Sequence, residues 1–142
     1  MANPEHMTKL TEGVSAWNTW RIAHKAVHPD LSESKLSQAS LTGVDFSETN
    51  LQAVNLFHAN LRAANLYLAN ISNANLQSAH LEGANLHKAN LRQTSLHEAN
   101  LQRANLHWAK LANADLWGAD LRAAVLGMAN LEGTNPHFSP MN

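Results

Sequence analysis

Residues 51–90 read LQAVN LFHAN LRAAN LYLAN ISNAN LQSAH LEGAN LHKAN. Written in fives, the stretch shows one rule: an apolar residue opens each group, and a small residue followed by a polar one closes it. The phase holds on both sides, from Leu31 through Leu36, Leu41 and Phe46 to Leu121, Leu126 and Leu131. A period of five fits neither a helix, with 3.6 residues per turn, nor a strand, with an alternation of two. It is the mark of a stacked architecture in which each short unit is buried by its neighbours.

Take the apolar residue as the centre, i. Position i−2 is small, as at Ala59, Ala64, Ala69, Ala74, Ala79, Ala84 and Ala89. Position i−1 is usually Asn, as at Asn50, Asn55, Asn60, Asn65, Asn70 and Asn75. Positions i+1 and i+2 vary: Arg62-Ala63, Tyr67-Leu68, Ser72-Asn73, Gln77-Ser78. The constrained positions therefore belong inside or in the backbone hydrogen-bonding framework, and the variable ones face water. Val44 and Val54 at i−2 and Phe46 at i predict slightly wider early coils. Thr49, Thr94 and Thr134 at i−2 need a local hydroxyl partner if buried. His80, Lys110 and Val125 depart from the rule at i−1, which is tolerable if that position lies near the surface.

This tandem A(N/D)LXX pattern over residues 29–134 resembles the pentapeptide-repeat family. The resemblance implies a β fold, a right-handed quadrilateral β-helix in which four pentapeptides make one turn. The twenty-one centres then make about five coils, a rod about 24 Å tall at the ladder spacing of about 4.8 Å. The pattern divides the chain into residues 1–28, an N-terminal α-helical cap; 29–134, the solenoid; and 135–142, a C-terminal tail. In the first segment Asn3-Pro4 reads as an N-cap and first helical residue. Leu10, Val14 and Trp17 follow at helical spacing, which predicts one amphipathic helix over about residues 4–26, stopped before Pro29. Pro136 falls at a centre position and is expected to end the stack, because proline cannot donate a ladder hydrogen bond.

Composition narrows the function classes. The 142 residues carry 10 Lys and Arg against 11 Asp and Glu, so neither a basic nucleic-acid binder nor a strongly acidic surface is expected. There is no cysteine, hence no disulfide or thiolate metal site. No signal-like pattern or membrane-length apolar run occurs, so a cytoplasmic protein without membrane contact is expected. No catalytic motif is present, and Asp115 and Asp120, five apart, lie on adjacent sides and cannot flank one substrate. Neither catalytic nor cofactor-binding nor metal residues are assigned. The paired His87 and His107 fall short of the three or four ligands zinc normally takes.

A twenty-residue stacking period sorts the variable residues onto four walls. One wall carries Tyr67, His87 and His107 at i+1, with Leu68, Lys88, Trp108 and Met128 at i+2. The opposite wall carries Phe57, His97 and Trp117, with His58 and Glu98. The other two walls are polar. Two readings of the first wall stand open: a ladder of rings that ties coils together, and a surface that docks a protein. Tyr67, Leu68, His87, His107, Trp108 and Met128 form the candidate interaction surface of a non-enzymatic scaffold, with a protein partner and a monomeric rod expected. The resemblance also implies an alternative, because some members of the family are DNA mimics that bind type II topoisomerases and protect them from quinolones. The near-neutral rod, uninterrupted by any loop, departs from that acidic pattern.

Overall fold

The computed structural model describes residues 1–135 and 137 of the chain. The expected stop at Pro136 and residues 138–142 lie outside the described residues.

From residue 29 onward the chain winds into stacked coils. Every pairing joins a residue to the one twenty positions on, in parallel: Asp30 to Asn50, Asn50 to Asn70, Asn70 to Asn90, Asn90 to Lys110, and Lys110 to Asn130. One turn therefore takes twenty residues, or four pentapeptides. Each pairing is a single-residue bridge at i−1 rather than a strand, because a two-residue turn intervenes before the next one. Two backbone bonds flank each bridge, as when Leu66 N–H donates to Asn85 O (2.7 Å) and Asn85 N–H donates to Ala64 O (2.9 Å).

The centres fill the axis. From Leu51 to Leu121 no centre is more than 1% exposed, and the i−2 alanines from Ala59 to Ala119 lie inside with them. At the ends Leu36, Leu126 and Leu131 are only partly buried. Burial of a leucine contributes about 1.5–3 kcal/mol relative to exposure, so the column of centres is the main driving force for stacking. The buried hydroxyls find partners: Thr94 Oγ1 donates to Ile71 O at 2.7 Å and Thr49 Oγ1 to Ser47 O at 3.3 Å.

The corners impose a second constraint that the variable residues conceal. Each i+2 residue has a positive φ, near +57° at Ala53, Ala63 and Leu68 and +70° at Gly43. With the hydrogen bond from i+3 back to i, as from Ala64 N–H to Leu61 O (3.0 Å), this is the sign pattern of a type II turn. Position i+2 is thus free in side chain but not in backbone. The sequence respects the restriction, since none of its i+2 residues is Val, Ile, Thr or Pro. Position i−1 is also more than a surface site. Its side-chain oxygen accepts the N–H of i+1, as Asn85 Oδ1 does from His87 and Asn105 Oδ1 from His107. Some of these amides also bond between coils, as Asn85 Nδ2 does to Asn65 Oδ1. Such local bonds hold the corner while the ladder holds the stack.

The N-terminal segment corrects the expected single helix. It forms two, α1 (Pro4–Thr11) and α2 (Val14–Ala23). The break is Gly13, whose φ of +106° no helix interior adopts. The second helix ends at Ala23, well short of Pro29, where the chain turns toward the first coil. Leu10 and Trp17 are buried within the solenoid's apolar core, and Phe46 is explained by the edge-on packing of Trp17 against it (5.7 Å, 81°).

The two helices also supply polar groups to the first coil. Trp17 Nε1–H donates to Asp45 O (2.7 Å), and Asn18 Oδ1 accepts Asp45 N–H (2.8 Å). Arg21 Nη2 donates to Ser47 O (2.8 Å). At the neighbouring corner Asn3 N–H donates to Asp30 O, and Asp30 N–H to His6 Nδ1. In every later coil these positions receive backbone partners. At these two sides, groups of the N-terminal segment stand in for the coil that would precede the first one, which protects an otherwise open edge there.

Candidate functional site

The twenty-residue turn brings Tyr67, His87 and His107 into one column. Their rings lie nearly parallel, with centroids 5.7 Å apart for Tyr67 and His87 and 5.4 Å apart for His87 and His107. Each ring is half-buried. The column stops at Gly127, where a Cβ would stand 2.7 Å from the His107 ring, so the missing side chain makes room for the imidazole. Trp108 meets His107 edge-on at 6.0 Å and 87°. The stacking gives the rings a share in holding the coils together.

Leu68, Lys88, Trp108 and Met128 run beside the column in the i+2 row, one per coil. Their register is fixed by backbone bonds such as Trp108 N–H to Gly127 O (3.0 Å). Here the apolar side chains turn outward: Leu68 is 43%, Trp108 47% and Met128 65% exposed. Val125, at 51%, stands on the same wall and joins them. Its apolar side chain at i−1, in phase with Asn65, Asn85 and Asn105, is the signal in the sequence that marks it. The positive φ of the i+2 residues points these side chains off the corner, so their exposure follows from the turn itself.

The opposite wall has a different character. His97 stacks on Trp117 at 4.8 Å and 13°. His97 Nδ1 lies 3.7 Å from Asp115 and Nε2 3.9 Å from Glu98. On the adjoining polar wall Arg62 pairs with Glu82 (3.0 Å), and Arg122 pairs with Asp120 (2.6 Å). The Arg122 guanidinium, with Gln102, holds the Asp120 carboxyl below its ordinary range. Asp30 is likewise held low, chiefly by the Ser32 N–H that it accepts. These carboxylates serve the framework rather than any shared reaction centre.

Among the described residues no three His, Asp or Glu side chains are grouped to hold a metal ion. No helix among them is long and apolar enough to cross a membrane. Hollows of about 480 Å³ and 510 Å³ lie near the two ends of the rod, lined by Met1, Met7 and Glu33 at one and by Asp115, Thr134 and His137 at the other. Neither adjoins the Tyr67–His107 column.

Comparison with known proteins agrees with the repeat. The family description "Pentapeptide repeats" matches residues 30–62, 64–103 and 99–135, in eight copies. Among solved structures, the pentapeptide repeat protein Rfr23 from the cyanobacterium Cyanothece 51142 is 28% identical, with a TM-score of 0.60 over 85% of this chain and 95% of that one. A pentapeptide repeat protein from Nostoc Pcc 7120 is 32% identical over 86% of this chain and 94% of that one, with a TM-score of 0.42. QnrB1, a plasmid-mediated fluoroquinolone resistance protein, is 18% identical over 78% of this chain and 67% of that one, with a TM-score of 0.36, a likeness too low to bear on function. No curated protein matches the chain.

Proposed function

The chain belongs to the pentapeptide-repeat family, with its right-handed β-helix solenoid, and from that premise we propose that it is a non-enzymatic scaffold whose Tyr67–His107 wall docks a protein. One observation carries this reading. Of the large apolar side chains that the solenoid exposes, Leu68, Trp108, Val125 and Met128 share one wall, and Trp117 stands opposite. A row of exposed apolar side chains on one wall of an otherwise polar rod marks a contact surface. The stacked rings hold that surface in register, so little order has to be created on binding. The proposed setting is cytoplasmic, with a monomeric rod, no cofactor and no nucleic acid.

The topoisomerase alternative finds less support. Phosphate mimicry calls for rows of unpaired carboxylates, whereas Glu82 and Asp120 are each bound to an arginine. The scaffold reading is tested by affinity capture from the native lysate with the protein and its Trp108→Ala variant. A specific protein retained by the first and lost from the second is expected. Equal capture by both removes the wall from consideration.

A further inference from the structure

The proposed docking wall is asymmetric in charge. From residue 65 down, its four levels span residues 65–70, 85–90, 105–110 and 125–130, and none holds an Asp or Glu. They do hold Lys88 and Lys110, and neither has a salt-bridge partner among the described residues. The wall's carboxylates, Asp45 and Glu48, are confined to the first level, where Glu48 faces His28 at 3.4 Å. On the opposite wall the exposed ring, Trp117, is accompanied by Glu98 and Asp115. The near-zero charge of the chain is thus a sum over walls that differ.

The position of Lys88 matters more than the count. It occupies the i+2 row between Leu68 above and Trp108 below, in the middle of the apolar stripe. A partner that covers Leu68 and Trp108 must also cover Lys88. An ammonium buried against a neutral apolar surface is heavily penalised, and an anion brought to it offsets that penalty most fully. Lys110, one corner residue along at the level of Trp108, adds a second cation at the rim. We propose that this wall docks an acidic segment of a partner protein, with apolar side chains set between its carboxylates. The proposal rests on the scaffold reading and specifies the partner's chemistry.

The probe is a fluorescein-labelled ten-residue peptide of alternating glutamate and leucine, followed by fluorescence anisotropy against the full-length protein. The matching lysine–leucine peptide is the control. The acidic peptide is expected to bind, and Lys88→Glu with Lys110→Glu is expected to weaken it by about tenfold or more at low salt. Lys88→Met keeps an unbranched stem of similar length and reports loss of the charge, and unchanged melting curves establish that each variant folds. Binding of both peptides alike, binding indifferent to Lys88, or no binding overturns the proposal. So does binding to phosphatidylserine vesicles without binding to the acidic peptide. Sedimentation velocity of the protein alone completes the test: self-association weakened equally by Lys88→Glu and Glu98→Lys identifies the occupant as the opposite wall of a second copy, and overturns it. A lysate partner lost with Trp108→Ala but retained by the lysine variants defeats the acidic partner and leaves the scaffold standing.

Discussion

Ala63 and Ala64 are adjacent alanines for which replacement by glycine should have opposite effects. Ala63 is an exposed i+2 residue held at φ +57°, whereas Ala64 is an i−2 residue only 1% exposed. An L-residue in the left-handed region costs about 1–2 kcal/mol that glycine escapes. Against this stands the greater freedom glycine gives the unfolded chain, about 0.4–1 kcal/mol. The net expectation for Ala63→Gly is a gain of about 0.5–1 kcal/mol. Ala53 and Ala123 are equivalent exposed sites, with φ of +57° and +60°. The triple replacement should gain about 1.5–3 kcal/mol, since the sites share no partners. For a chain of this length that raises Tm by about 5–10 °C.

Ala64→Gly should instead lose about 1–2 kcal/mol, from one buried methyl and the added backbone freedom. The converse control is Gly83→Ala. Gly83 has φ +68° with open space where a Cβ would stand, so any loss there is conformational. Urea unfolding followed by both far-UV circular dichroism and tryptophan fluorescence gives the stabilities and checks that the stack melts as one unit. Destabilisation by Ala63→Gly comparable to that by Ala64→Gly would refute the claim that the corner backbone carries strain.

Three further perturbations probe the frame. Trp17→Phe keeps a ring against Phe46 but removes the indole N–H from Asp45 O, and should cost about 1–3 kcal/mol in urea unfolding because a carbonyl at the coil edge is left unpaired. Thr94→Val keeps the volume but removes the 2.7 Å bond to Ile71 O, which retains the 3.3 Å turn bond from Ala74 N–H, for a loss of about 0.5–1.5 kcal/mol by the same measurement. Asp30 has its folded pKa depressed, so its contribution is present above the ordinary carboxylate range and is lost as pH falls through the folded value. Asp30→Asn keeps an oxygen for Ser32 N–H but not the charge, so it should lower Tm near neutrality, converge with the parent protein at low pH, and thereby flatten the acid limb of a Tm-against-pH profile below about pH 4.

The frame was legible because it depends on side-chain size at fixed intervals. Leu31 to Leu131 every fifth residue announces the axis, and the bridge from Asp30 to Asn50 is the same regularity in three dimensions. The corner backbone was less legible. An exposed αL residue leaves its mark only as a negative, the absence of Val, Ile, Thr and Pro from i+2. The break at Gly13 was hidden by continuous helical spacing from Leu10 to Trp17, where a single positive φ outweighs the pattern. Phe46 looked like a wide coil and is the seat of Trp17. At the wall, the period of twenty placed Tyr67, His87 and His107 in one column, but the i−1 exceptions Val125 and Lys110 read as noise until their level in the stack was known. What the wall binds depends on a surface that belongs to another molecule, and no regularity within this chain encodes it.

The twenty-residue bridge has a consequence for how such a rod can change. Inserting or deleting twenty residues lengthens or shortens it by one level and leaves every side chain on its own wall. A change of five preserves the core rule equally well, since leucine still follows leucine, yet it turns everything downstream by a quarter. Five residues lost between Tyr67 and His87 would carry His87, His107 and Trp108 together around the corner and part them from Tyr67 and Leu68, at the loss inside of a single centre. Folding tolerates steps of five, whereas the alignment of a wall tolerates only steps of twenty, so length variation alone can redirect a binding surface without a single substitution.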